Sequence, residues 1–169
     1  MTSPTDASGA QNFAEAINQA DTEGWNQAMG LVFQIATADE VVASWTVAAH
    51  HRQPYGIVHG GVYCGVIEAL CSTGAAIAAM ATTGYSVVGL ENSTSFVRAV
   101  REGTLTGRAT PVHRGRRSQV WEATIEDEAG RTVANGRVRL MCLEPDVPLA
   151  GRGVAATTSE RLKPSSVDD

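Results

Sequence analysis

The sequence predicts an α+β fold in which an antiparallel sheet wraps one buried helix, and three observations predict it. Residues 61–80 contain no proline and no charge except Glu68, so they read as a single long helix. A helix apolar all round must be buried all round. Two strand-like segments precede it and four follow, separated by short polar turns. One long helix set between runs of strands is the pattern of a sheet packed on a helix, not of alternating α/β units.

Taken in order, residues 1–10 are polar and read as a loose tail, with the folded domain spanning 11–143. Residues 12–28 carry Phe13, Ile17 and Trp25 at apolar positions, with Asn12 placed to cap, and predict a first helix. Residues 31–38 and 41–49 are two strands about the turn Asp39-Glu40. The second alternates Val41, Ala43, Trp45 and Val47 against Val42, Ser44 and Thr46. Pro54 and Gly56 make 50–58 a loop. The small residues of the long helix predict that something packs closely against it on several sides. After it, 85–97, 103–112, 118–125 and 131–143 are rich in Val, Thr, Leu and Trp. The turns between them are short, which predicts a meander of all four. Residues 144–169, with Pro145, Pro148 and Pro164, read as a mobile tail.

A chain of 169 residues suits one domain with a real core. Its net charge of −5 argues against general nucleic-acid binding, which needs a basic footprint. Any anionic ligand must then meet local positive charge, and Arg114, Arg116 and Arg117 supply a cluster. Three cysteines without a CxxC pair point to free thiols rather than a disulfide framework. Residues 1–9 lack the basic and apolar regions of a secretory signal, so the expected location is the cytoplasm. The long apolar segment has the length of a membrane span. Against insertion stand its Gly, Ala, Ser, Thr and Cys content, the absence of flanking Lys/Arg clusters, and the mid-span Glu68. A carboxylate there costs about 2.5–3.5 kcal/mol on insertion scales.

Chemistry concentrates where the buried helix begins. Gly60 and Gly61 let backbone approach a ligand with no Cβ in the way. The first amides of a helix lack intrahelical acceptors and sit at its positive end, a ready oxyanion site. Two glycines could equally form a tight turn into the helix. Glu68 sharpens the case, since a carboxylate in an apolar helix is costly unless paired or functional. Pairing with an arginine such as Arg98, or a wet dimer interface, are the plainer alternatives. Ser72 lies one turn later on the same face as Glu68. Along a helix, Gly60 and Glu68 are roughly 12 Å apart, too far to act on one carbon. Two antiparallel copies of the helix would bring them together, so a working site implies a homodimer. His50, His51 and His59 lack the carboxylate or cysteine partners of a metal centre, and no metal is expected. As neighbours at a strand end, His50 and His51 read as surface residues. Cys64 and Cys71 read as packing residues, and Trp25, Trp45 and Trp121 as core or interface.

Gln53-Pro54-Tyr55-Gly56-Ile57-Val58-His59-Gly60-Gly61, followed by Glu68 and Ser72, resembles the hot-dog thioesterases of the PaaI and 4-hydroxybenzoyl-CoA type. The likeness continues through 92–100, Gly103, His113-Arg114-Gly115-Arg116-Arg117 and Gly130-Arg131, covering roughly residues 30–143. It implies a central helix wrapped by a curved sheet, dimers that often pair into tetramers, and hydrolysis of acyl-CoA thioesters. Glu68 would be the catalytic carboxylate and Gly60 the oxyanion donor. Gln53 and His59 would position the carbonyl or the loop, and Ser72 the water. Gly61, Asn92, Ser93 and the three arginines would contact substrate, the arginines through coenzyme A phosphates. No cofactor is expected beyond the coenzyme A of the substrate. Two other readings keep the same fold: a non-catalytic acyl-CoA-binding module, and a hydratase or dehydratase acting on enoyl- or hydroxyacyl-CoA.

Overall fold

The computed structural model describes residues 11–145 and 147–153. The expected tail over 1–10, and the part of the C-terminal one over 154–169, lie outside the described residues. Two short helices, α1 (Ala14–Ala20) and α2 (Trp25–Ala28), precede strands β1 (Val32–Ala36) and β2 (Val41–Thr46). A 3-10 turn at Ala49–His51 leads to the long helix α3 (Gly60–Thr82). Strands β3 (Ser86–Phe96), β4 (Thr104–Arg114), β5 (Ser118–Glu126) and β6 (Thr132–Leu143) follow, then a small hairpin of β7 (Pro148–Leu149) and β8 (Arg152–Gly153).

The expected α+β architecture is present: one six-stranded antiparallel sheet packs against α3. Its order, β1-β2-β4-β5-β6-β3, corrects the predicted meander. Strands β4, β5 and β6 do run up and down, but β3 pairs outside β6, with Ser86 opposite Leu143 and Phe96 opposite Ala134. A strand has only two edges, and those of β4 are taken by β2 and β5. The segment 97–103 is therefore a crossover and not a hairpin turn. It is pinned across the end of the sheet by backbone bonds: Val97 N–H to the Val133 carbonyl (2.9 Å), Val58 N–H to Val100 (2.8 Å), and Val47 N–H to Gly103 (2.9 Å).

The first helix is also shorter than expected. It breaks between α1 and α2, where Gly24 takes φ 118°, a conformation only glycine adopts freely. Asn12 does more than start α1. Its Oδ1 accepts from Ala14 N–H (3.0 Å) and from Ala36 N–H on β1 (2.9 Å). Asn18 pairs with both the N–H and the carbonyl of Phe33, each at 2.9 Å. The outer edge of β1 is thus closed by side-chain amides from α1, which removes a template for strand addition.

Helix α3 passes the length and hydropathy test for a membrane span. Its buried residues, among them Val66, Ile67, Leu70, Cys71 and Ala75, nevertheless form the centre of the core with Trp45, Leu105, Trp121, Ile125 and Leu140. The small residues work as expected. A Cβ at Gly74 would run into the Trp121 ring, and one at Gly65 into the Trp25 ring. Gly107 on β4 is the reverse case, a hollow filled by Leu70, whose Cδ1 would lie 2.5 Å from a Cβ there. Trp121 is fully buried with its Nε1 donating to Gln119 Oε1 (2.9 Å), and Gln119 Nε2 donates to the Ala75 carbonyl (3.1 Å). That pairing ties β5 to α3 and satisfies the buried amide.

Leu70 is completely buried against both α3's own turn and Gly107. Leu70→Ala should cost about 2–5 kcal/mol of stability, through lost transfer free energy and a cavity that close-packed neighbours cannot fill. Urea denaturation checks this, and a loss below about 1 kcal/mol would mean the core relaxes into the space.

Candidate active site

The loop ahead of α3 is built from short backbone bonds. Gln53 N–H reaches Ile57 O (2.9 Å) and Gly56 N–H reaches Gln53 O (2.8 Å), with Gly56 at φ 74° making the turn. Arg101 Nη1 holds the Tyr55 carbonyl at 2.9 Å. His59 N–H donates to the His51 carbonyl (2.8 Å), so His51 anchors the start of the helix. His51 is not a surface residue as expected. It is 1% exposed, and its Nδ1 accepts from Ala48 N–H at 2.9 Å. The 3-10 turn at Ala49–His51 folds that imidazole back under the chain, while His50 stays exposed.

His59 caps α3: its Nδ1 accepts from Gly61 N–H (2.9 Å), and its carbonyl from Val62 N–H (2.9 Å). The Gly60 N–H, between them, has no acceptor among the described residues. Among the described residues, the helix thus begins with the Gly60 donor unsatisfied at its positive end. Phe96, at the end of β3, lies on the Gly60 backbone; a Cβ at Gly60 would sit 2.5 Å from the ring. That ring is 55% exposed and its centroid is 6.0 Å from that of Tyr63. Tyr63 itself is buried, its hydroxyl has no partner among the described residues, and burial pushes its phenol up to about 12.

Glu68 is half-buried and makes no ion pair with Arg98. Its Oε1 accepts from Ser72 Oγ (3.1 Å), and its Oε2 from Asn92 Nδ2 on β3 (3.1 Å). A Cβ at Gly89 would collide with Oε1, so the missing side chain on β3 is what admits the carboxylate. Glycine within a strand signals such close approach, and Gly89 was the unread sequence signal for this contact. Cys71, one turn below, is inert: burial first, then Glu68 and Glu122, push its thiol well above the ordinary range.

Within one chain these groups form two clusters. Gln53, His59, Gly60, Gly61 and Phe96 gather at the helix start, and Glu68, Ser72 and Asn92 two turns along. Ser93 belongs to neither. Adjacent strand residues point to opposite faces, and Ser93 lines a groove on the outer face with Glu122, Asn135 and Arg137. The arginines stand apart as well, on the β4–β5 turn by Thr82 and Thr83. Helix α3 has 23 residues, so roughly 33 Å separates that turn from Gly60. Arg114 pairs with Asp39 Oδ1 (2.8 Å) and the Ala38 carbonyl (2.9 Å), and Arg116 donates to Tyr85 Oη (3.3 Å). Arg117 is exposed and its carbonyl accepts from Cys142 N–H (2.9 Å).

Comparison with known proteins adds to this geometry. The thioesterase superfamily model matches residues 55–134, from the loop before α3 into β6. A Mycobacterium tuberculosis protein named as a candidate esterase is 44% identical over 125 residues, spanning 73% of this chain and 89% of that one. The chain belongs to the thioesterase superfamily. Thioester hydrolysis is the chemistry this membership gives it, and the hot-dog arrangement of sheet around helix is the fold. A proofreading thioesterase of Cronobacter sakazakii is 36% identical over 126 residues, spanning 73% of this chain and 89% of its own. Among solved structures, a Haemophilus influenzae thioesterase superposes with a TM-score of 0.72 at 30% identity, covering 78% of this chain and 90% of that one.

Burial, then the neighbouring His50, hold the His51 imidazole below its ordinary range, against a smaller opposing effect of the Met29 carbonyl. Below about pH 6.5 the unfolded chain therefore takes up a proton that the folded chain refuses. Stability from this residue is full above that pH and declines as pH falls toward the folded value. His51→Asn keeps an acceptor for Ala48 N–H but cannot titrate. Thermal melts between about pH 7 and 5.5 should show a smaller decline in Tm for this variant than for wild type. Equal slopes would remove His51 as the cause.

Proposed function

We propose that this superfamily member hydrolyses acyl- or aroyl-CoA thioesters in active sites shared between the two chains of a homodimer. The observation that carries the reading is the free Gly60 amide beside amides already occupied, with a held carboxylate two turns along the same helix. Neither cluster suffices alone. The edges of the sheet support the shared arrangement. The β1 edge is closed by Asn12 and Asn18, whereas β3 is an eleven-residue edge strand, exposed or half-exposed throughout. Leu90 (53%) and Phe96 (55%) are open apolar side chains on that strand. Pairing two β3 edges about a two-fold axis would cover them, set the α3 helices side by side and antiparallel, and bring Glu68 of the partner subunit toward Gly60.

In the reaction, the Gly60 N–H stabilises the oxyanion that forms as the thioester carbonyl is attacked. Glu68 of the partner subunit drives that attack, as nucleophile or as base for a water. Water adds its oxygen to the acyl carbon, the C–S bond breaks, and the coenzyme A thiolate recovers a proton. His59, its Nδ1 committed to Gly61, leaves Nε2 to face the carbonyl with Gln53, while Ser72 orients the carboxylate. Arg114 is engaged by Asp39, so Arg116 and Arg117 are the arginines left for coenzyme A phosphates. They border or adjoin a cavity of about 480 Å³. The partner subunit's turn lies nearer the shared site than a chain's own, because Glu68 is fourteen residues from Thr82 and Gly60 twenty-two.

The first test is coenzyme A release from benzoyl-, phenylacetyl-, short-chain and long-chain acyl-CoAs. Wild type should release it from at least one, and folded Glu68→Gln should lose roughly a thousandfold or more in kcat. Release from none, with retained binding of the esters, would replace hydrolysis with a binding role. A second test is solution mass, expected at twice 17.7 kDa or a multiple of that. An active species with the mass of one chain would rule out shared sites.

A further inference from the structure

We infer that Asn92 is a positioning residue for the Glu68 carboxylate, with its own amide set by Thr94. This rests on the hydrolase reading above and adds a role that the resemblance does not give, since Asn92 was expected to touch substrate.

Four hydrogen bonds define the arrangement. Asn92 Nδ2 donates to Glu68 Oε2 (3.1 Å) and to the Cys64 carbonyl (3.0 Å). Thr94 Oγ1 donates to Asn92 Oδ1 (2.6 Å), and Ser72 Oγ donates to Glu68 Oε1 (3.1 Å). The Cys64 carbonyl can only accept, so the amide nitrogen must be the atom that faces it. That fixes which way the amide points. Both Nδ2 hydrogens are then spent, one on the helix backbone and one on the carboxylate. Thr94 occupies the amide oxygen and opposes a flip. Asn92 and Thr94 are two apart on β3, so both side chains stand on the face toward α3.

For Glu68 the consequence is a carboxylate gripped at both oxygens by uncharged donors. Each oxygen has two lone-pair sites, so one per oxygen remains for a water or the thioester carbon. Rotation of the long side chain is restrained before substrate arrives, which supplies the orientation that a near-attack geometry requires. An arginine in place of Asn92 would hold the carboxylate as firmly but would neutralise the charge it needs. A neutral amide positions without quenching. The same bond to Cys64 also ties β3 to α3, so a purely structural role is the competing account, and the experiment must separate the two.

The measurement is steady-state kinetics on the best substrate for wild type, Asn92→Ala, Thr94→Val, Thr94→Ser and Glu68→Gln, with Asn92→Ala repeated in the Glu68→Gln background. Losing a hydrogen bond to a charged group should lower kcat about 10- to 100-fold for Asn92→Ala, with KM nearly unchanged. Thr94→Val, which keeps shape but not the hydroxyl, should lower kcat several-fold, and Thr94→Ser should restore it. Because Asn92 acts through the carboxylate, its loss should have no further effect once Glu68 is Gln. An Asn92→Ala kcat within twofold of wild type overturns the inference while leaving the hydrolase intact. So does a kcat loss of the same factor in both Glu68 backgrounds, which marks a structural tie. A wild type silent on every thioester sinks both readings together.

Discussion

Water does not tolerate a helix with the side chains of α3, so every other element is placed by the need to surround it. Residues such as Val66, Ile67, Leu70 and Cys71 have no exposure at all, and the sheet must curve to reach them from several directions. Close approach is possible only where side chains step aside. Gly74 receives Trp121, Gly65 receives Trp25, and Gly107 receives Leu70. These are paired choices, a large residue on one element and none on the other, which is how a curved layer fills space at crystal-like density. The polar atoms that come inside with them are settled locally, as where Gln119 bridges the Trp121 indole and the Ala75 carbonyl.

The wrap is open at the β3 edge, and the candidate functional groups are found there. At the β1 edge, Asn12 and Asn18 take up the free backbone groups, so the sheet ends in protein. At the β3 edge it ends in exposed strand, with Phe96 over Gly60 and Asn92 over Glu68. The two ends differ in chemistry. One has its backbone groups taken up by side chains, and the other leaves them open to further pairing. An edge strand so long and so exposed presents its outer backbone groups for further pairing.

Much of this was legible from the residues. The uninterrupted apolar run gave α3 to within two residues at either end, because an apolar run of that length without proline is too long for a strand. The six strands were also placed, since alternation and Gly-containing turns mark them locally. Pairing was not, because the choice between β4 and β6 as neighbour for β3 depends on β2 having already taken β4, a contact remote in sequence. The burial of His51 was hidden for a similar reason: a 3-10 turn redirects one side chain of an exposed-looking pair. Within the site, Gly60 and Glu68 could be named from spacing and cost, and His59 from the family resemblance. The arginines could not be located relative to them, because only the fold shows that they sit at opposite ends of α3. Asn92 and Ser93 are both expected to contact substrate, yet strand alternation sends the two to opposite faces.

That last distinction bears on how a carboxylate comes to sit in an apolar helix. Full burial without partners would favour the neutral acid, and full exposure would leave a mobile side chain in competition with bulk water. Glu68 occupies the middle ground, half-covered by β3, with its room made by Gly89 and its two oxygens met by Ser72 and Asn92. Each of those three residues contributes something a charge could not. Glycine supplies space, while serine and asparagine supply direction without cancelling the anion. Glu68 is only half-buried, so the carboxylate adds little to the packing of the core. Its place in an otherwise apolar helix is consistent with a carboxylate meant to act at the open β3 edge, where Ser72 and Asn92 hold it.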